Sequence, residues 1–333
     1  MTPTRRRFGQ GLAGLGLAGL AGAGCDKAAR PLLSADTQAA DYPTVKALDF
    51  IGERLRERTD GRLDIRVYPG GQLGNERDTL EITMFGGLDL NRITLAPLNP
   101  VARATLAPSL PFIFRSTAHM RAAVDGAPGR TILESLEPYG LIGLCFYDSG
   151  ARSFYTTRHP IRTPDDLAGL KIRVQNSDLY VAMVEALGAN ATPMGFGEVY
   201  QALVQGVIDG AENNWPSYDN TRHYEAAKYY SLTEHLMTPE VLVVSTHRWK
   251  KMSEPDREIL TEAALQSVPY MRSLWDARTQ KAREHVLAAG ITLTDNIDKR
   301  PFQDLMKPVY ERFVTPDLRP LVEAIQDTEA PDA

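Results

Sequence analysis

Cysteine is scarce in this chain: its 333 residues include two, Cys25 and Cys145. Cys25 closes an amino-terminal segment that reads as a signal, so once that cysteine is lipidated or lost no intrachain disulfide can form. A chain of this length buries enough core to need no such staple. Cys145 sits in the apolar run "LIGLCFY" and reads as core. Metal-ligand spacing is missing as well. The six histidines (His119, His159, His223, His235, His247, His285) form no HxH or HxxxH pair. No G-x-S-x-G elbow, Walker loop or strand-following G-x-G-x-x-G occurs, so hydrolytic, redox and cofactor chemistry finds no support. Positive charge is not in excess either. A net charge of −5 excludes the basic footprint that a nucleic-acid partner requires. Internal repeats and low-complexity tracts are absent, and 43% hydrophobic with 24% charged residues places the chain among globular proteins.

What is present begins with a separate object at residues 1–25. "TRRRFGQGLAGLGLAGLAGAGC" joins three arginines (Arg5, Arg6, Arg7) to a Gly/Ala/Leu run and then small residues. It is too short and too glycine-rich for a spanning helix and reads as an export signal of twin-arginine type. Two processing routes are open. "GAGC" before Asp26 resembles a lipoprotein cleavage site with Cys25 lipidated, although Gly22 stands where a branched apolar residue is usual; "AGA" at Ala21–Ala23 offers ordinary cleavage. Removal of residues 1–24 deletes three arginines and no acids, so the exported charge is −5 − 3 = −8. An anion held by such a protein needs local cations.

After the signal, helical and strand patterns alternate. "ARPLLSA" reads as a strand, "YPTVKALDFIGERLRERTDG" as an amphipathic helix through Val45, Leu48, Ile51 and Leu55, and "RLDIRVYPGG" as a half-buried strand. "GLIGLCFY", "LKIRV" and "EVLVVST" read as further strands, and Asn176 or Ser177 as the cap of the helix "NSDLYVAMVEALGA". From Glu254 to about Ala289 the pattern stays helical, and Pro269 within it should kink or break the helix. The fold class is α/β with open sheets. A division near residue 150 and a return near 239 imply two lobes with a cleft between them, where ligands bind at the carboxyl ends of strands.

Three features rise above this background. Arg152 falls in the turn "DSGARSF", and Arg173 lies inside an apolar strand. As a structural residue Arg173 would snorkel from a strand edge; as a binding residue its planar fork would meet a carboxylate in two parallel hydrogen bonds. "GAENNWPSYDNTRHYE" sets Asn213 and Asn214 beside Trp215 and Tyr218. The asparagines offer the donors and acceptors that sugar hydroxyls need, while the aromatics suit either a pocket wall or a helix contact in the core.

The segment "DLAGLKIRV...ALGANATPMGFGEVYQALVQGVIDGAENNWPSY", with the upstream "GGQLGNERD" and the turn "GARSF", resembles the solute-binding proteins of TRAP transporters. Ala168 stands where that family usually has Lys. The similarity runs over almost the whole exported chain, and "ENNWPSY...HYE.AKYYSLTEH...PEVLV" resembles the sugar-acid, hexuronate-binding branch. The resemblance implies a hinged, two-lobed periplasmic receptor with a long lobe-spanning helix. One lobe would comprise 26–149 and 239–278, the other 150–238 and 279–333. It also implies an organic anion trapped in the interlobe cleft and delivered to membrane permease subunits, by a monomer that uses no cofactor and performs no chemistry. Residue by residue it assigns Arg173 to clamp the ligand carboxylate, with Arg152 as second arginine and Asn213 beside it. Phe196 would pack on the ligand and Glu76 would bond its hydroxyls. Asn214, Trp215, Arg92 and Asp36 complete the candidate site. A strand places Asn91 and Arg92 on opposite faces, so at most one of them reaches the cleft. Other carboxylates (aldonate, keto acid, aromatic acid) remain open as ligands, as do a sensor subunit or a uronate-acting enzyme as the function.

Overall fold

The computed structural model describes residues 30–330. The signal segment, Cys25 included, lies outside the described residues. Two sheets organise the chain. The first runs in the order β2 (Ile65–Tyr68), β1 (Leu32–Ala35), β3 (Leu90–Thr94), β10 (Glu240–Ser245), β4 (Leu141–Tyr147). The second runs β11 (Thr292–Thr294), β9 (Tyr229–Leu236), β5 (Arg152–Thr156), β8 (Gly210–Asn213), β6 (Lys171–Val174), β7 (Asn190–Pro193). β1 pairs parallel with both neighbours, whereas β10 returns from the second sheet to pair antiparallel with β3 and β4. The α/β class and the two lobes are therefore those of the sequence reading. Helices cover the sheets because their apolar faces need partners. Helix Pro43–Arg58 buries Val45, Leu48, Ile51 and Leu55 against the first sheet and the long helix Glu254–Ala288.

That long helix runs unbroken through Pro269, so of the expected kink or break the break does not occur. Pro269 and Leu265 lie on the solvent face, so the Leu265 carbonyl that loses its helical partner is free to hydrate. The helix packs on Pro43–Arg58 and β4 in one lobe and on helix Trp215–Asn220 in the other, which ties the two together. The crossing segment after β4 is clipped to it as well. Asp148, fully buried, accepts from Arg121 Nε at 2.6 Å and from Arg272 Nε at 3.1 Å, Arg272 being on the long helix. Gly150 in the same crossing has φ +59°, and a Cβ there would sit 3.2 Å from the Trp275 ring. The chain end departs from the expected division: helix Arg319–Gln326 packs against Arg103–Ser109 and Ala127–Glu134, both on the first lobe, rather than on the second. Val322 and Ile325 are its buried residues, and an amphipathic helix docks wherever its apolar stripe finds a matching surface.

Candidate functional site

The carboxyl ends of β1, β3, β6 and β8 converge on the seam between the lobes and bring charge from both sides. On the second lobe, Arg152 belongs to β5 itself rather than to the turn before it. Its Nε donates to Glu212 Oε2 at 2.5 Å and its Nη2 to Oε1 at 2.8 Å, a bidentate pair closed by Nη2 to the Glu212 carbonyl at 2.9 Å. Nη1 donates to Asn213 Oδ1 at 2.9 Å. Burial works against this cation, and Glu212 outweighs it, so its pKa is raised. Arg152 is thus largely committed to the chain, with one N–H to spare.

Arg173 is different. It is 2% exposed, and its Nε and Nη2 donate to the Met194 carbonyl at 3.1 and 2.8 Å. Burial lowers its pKa and Arg152 lowers it further, while Glu212, Tyr155 and Glu76 oppose them only from beyond ion-pair range. A guanidinium keeps its proton regardless, so Arg173 is a buried cation that no described residue neutralises. Near it, Tyr155 is hydrogen-bonded to His223 Nδ1 at 2.8 Å. Burial, helped by Arg173, pushes His223 down to about 3, which keeps it neutral.

The asparagines part company. Asn213, 3% exposed, accepts on Oδ1 from Arg152 and from the Asn214 backbone N–H at 2.9 Å, leaving its amide hydrogens unused by any described residue. Asn214 instead caps helix Trp215–Asn220. Its oxygen accepts from Ser217 N at 2.8 Å, and its nitrogen donates to the Ser149 carbonyl at 2.8 Å and hydroxyl at 3.2 Å. The geometry therefore makes Asn214 a joint between that helix and the lobe crossing, in place of the expected ligand contact. Trp215 stacks on Tyr230 with centroids 3.9 Å apart and packs on the second-lobe core, so its ring faces protein. Phe196 is half-buried, its ring edge-on to His223 at 6.1 Å. Its neighbour Gly195 closes on the other lobe, since a Cβ there would lie 3.6 Å from Asn75 Cβ.

On the first lobe, Arg92 is the hub. Nε donates to Asp36 Oδ2 at 2.9 Å, Nη2 to Asp36 Oδ1, and Nη1 to Glu76 Oε1 at 2.8 Å, with Glu240 Oε2 3.4 Å from Nη1. Burial would lower Arg92, and Asp36, Glu240 and Glu76 together raise it well above the ordinary value. Asn91 turns the other way and donates to Thr83, as strand alternation requires. Arg92 and Asp36 were both candidates for ligand contact. The structure instead spends Arg92 on three carboxyl groups and Asp36 on Arg92, Thr44 (2.8 Å) and the Gln38 N–H (2.7 Å). Glu76 accepts from Arg92 and, at 2.5 Å, from Thr94 Oγ1, and its side chain keeps 12% exposure.

The lobes meet through neutral hydrogen bonds: Gln175 Nε2 to Thr94 Oγ1 at 3.2 Å, Asn99 with Ser177 at 2.8 Å, and Tyr42 with Ser217 at 3.0 Å. Ser177 occupies the expected cap position, but its hydroxyl goes to Asn99 and not to the helix. Sequence reasoning missed Glu212, Thr94, Gln175 and Glu240. Glu240 carried a signal, an acid opening the wholly apolar run "VLVV". A groove of about 930 Å³ elsewhere on the seam, walled by Leu80, Phe85, Leu179 and Phe313, shares none of the charged cluster. Among the described residues no three His, Cys, Asp or Glu side chains are placed to hold a metal ion, and no helix is long and apolar enough to cross a membrane.

Residues 34–317 match the model of the bacterial extracellular solute-binding protein family 7. The chain belongs to that family. A solute-binding protein of Chromohalobacter salexigens is 45% identical over 87% of each chain. A solved TRAP periplasmic solute-binding protein of Bradyrhizobium, in complex with α/β-D-galacturonate, is 51% identical with a TM-score of 0.88, covering 90% of this chain and all of that one. Another from C. salexigens, with bound D-glucuronate, is 44% identical with a TM-score of 0.87, over 89% of this chain and 99% of that one. The two-lobed fold described above is the fold of these family members.

Proposed function

We propose that this protein is the periplasmic receptor of a TRAP transporter for a hexuronate, galacturonate or glucuronate. The buried guanidinium of Arg173, without an ion partner among the described residues and with Asn213 two positions past its strand neighbour Ala211, is the observation that carries this reading. A cation in such a position needs an anion that arrives from outside. The relatives solved with galacturonate or glucuronate supply its class. In this reading the ligand carboxylate takes the open edge of Arg173, the spare N–H of Arg152 and the Asn213 amide. Glu76, with its residual exposure, accepts from ligand hydroxyls, and Phe196 closes over the sugar from the seam.

Binding is the whole of the task. The ligand favours the closed arrangement of the lobes because it makes its full set of contacts only there, and release to the permease subunits follows reopening. The protein works as a monomer without a cofactor and performs no turnover. Export is of twin-arginine type, into the periplasm, and Cys25 is the site of lipid attachment where that processing route is taken.

A thermal-shift screen of the protein against uronates, aldonates, keto acids and aromatic acids, with calorimetry on the hits, tests this. A ligand at a hundred times its Kd adds about 2.7 kcal/mol to the folded state. The expected result is a large shift with galacturonate or glucuronate. A shift with another acid alone would discard the ligand, and silence throughout would discard the receptor.

A further inference from the structure

Glu240 is the one carboxyl group of the cleft whose own lobe gives it no full partner. It opens β10 directly after the chain returns from the second lobe, its Cα paired with Thr94 and Tyr147 at the cleft ends of β3 and β4. It is 2% exposed, and its Oε2 has no hydrogen-bond partner among the described residues, lying 3.4 Å from an Arg92 nitrogen already bonded to Glu76. A buried acid in this position is costly when ionised and cheap when neutral. The charges around it divide. Asp36 after β1 and Glu76 on its helix oppose ionisation, while Arg92 on β3 and, more weakly, Arg152 on β5 favour it; Tyr42 also faces it from the first helix. Burial dominates and pushes Glu240 up to about 7.

The proposed ligand changes this balance. Across the seam four carboxyl groups (Asp36, Glu76, Glu212, Glu240) already face three guanidiniums (Arg92, Arg152, Arg173). A uronate adds a fifth negative charge to a site that closure dries further. Protonating Glu240 relieves that excess and converts a second acceptor beside Glu76 into an O–H donor, which a sugar oxygen can accept.

Resting on the receptor reading, we infer that Glu240 is a ligand-binding residue that meets the sugar as a neutral acid, so that uronate binding at alkaline pH brings a proton with it. The ligand carboxylate, with an ordinary acid strength, stays ionised throughout the neutral range, so the proton goes to the protein. The direction follows from linkage. Ligand binding raises the Glu240 pKa, hence affinity is fully present below the free-protein value and is lost as pH rises through it. His223 and His235 are both held neutral by burial, so neither supplies a proton change over this range.

Calorimetry with D-galacturonate and D-glucuronate between pH 6 and 8.5, in two buffers of different ionisation enthalpy, reads both slope and proton count. The wild type is expected to take up close to one proton at pH 8 and to weaken about tenfold per pH unit above 7. Glu240→Gln, which keeps a donor but cannot titrate, is expected to lose the slope and the proton uptake and to bind more tightly than the wild type at pH 8.5. Tight uronate binding that is flat with pH and takes up no proton would overturn the inference and leave the receptor intact. A slope that survives in Glu240→Gln would overturn it too. No uronate binding at any pH would overturn the receptor reading, and this inference with it.

Discussion

Two arginines of one sheet, on strands separated by β8, should respond to the same substitution in opposite ways. Arg152→Gln strips Glu212 of its bidentate partner. Glu212 is fully buried, both its oxygens receive from Arg152, and a neutral amide cannot neutralise it. Breaking one side of such a pair costs about 3–5 kcal/mol, because the remaining charge is left in a medium of low polarity. Arg173→Gln removes a cation that has no ion partner among the described residues. It forfeits two hydrogen bonds to the Met194 carbonyl, about 1 kcal/mol each, and regains the cost of burying an unneutralised charge. The two terms nearly cancel, so ligand-free stability should move by no more than about 1 kcal/mol while uronate affinity collapses. The pH dependence separates the cases further. His235 Nε2 lies 3.8 Å from Glu212 and is held well below its ordinary pKa by burial and by Arg152. With Arg152 gone its pKa rises, and as pH falls through the new value a protonated His235 replaces part of the lost pairing. The Arg152→Gln deficit should therefore be smaller at low pH than at pH 7.5. Urea denaturation of the ligand-free proteins at both pH values, with galacturonate calorimetry alongside, gives all of these quantities. Equal destabilisation by the two substitutions would refute the distinction between a paired and an unpaired guanidinium, and a stable Arg152→Gln would refute the cost assigned to Glu212.

Other expectations follow from the same geometry. Asn214→Ala removes a helix cap and the link to Ser149, and should lower ligand-free stability by about 1–3 kcal/mol. A loss of uronate affinity with stability unchanged would return Asn214 to the ligand. Trp215→Ala deletes the ring stacked on Tyr230 and should cost about 3 kcal/mol in urea denaturation. A stable variant that binds uronate weakly would make Trp215 pocket wall after all.

Much of this protein was legible in one dimension. The alternation of helical and strand periods gave the α/β class, because 3.6- and 2-residue repeats of apolar residues are set locally. The break near residue 150 and the return near 239 marked where the chain changes sheets, since a polar turn interrupts two buried strands there. An arginine in an apolar strand and an asparagine pair after a helix marked Arg173 and Asn213. Partners could not be read this way. Whether an arginine is neutralised depends on which strand lies beside it, and that is a property of sheet order rather than of sequence neighbours. Arg152 and Arg173 looked alike in sequence, yet β8 hands the first an ion pair with Glu212 and leaves the second beyond ion-pair range of it. Arg92 and Asp36, 56 positions apart, became one buried pair only when β1 and β3 aligned. Asn214 and Trp215 stood beside Asn213 and shared its composition, but the helix that starts there made Asn214 its cap and packed Trp215 against the second-lobe core. Composition and period thus determined the layers and the kinds of group available. Tertiary packing decided which charges are satisfied by a described residue and which are left unpaired, because neutralisation acts through space over a few ångströms and is blind to distance along the chain.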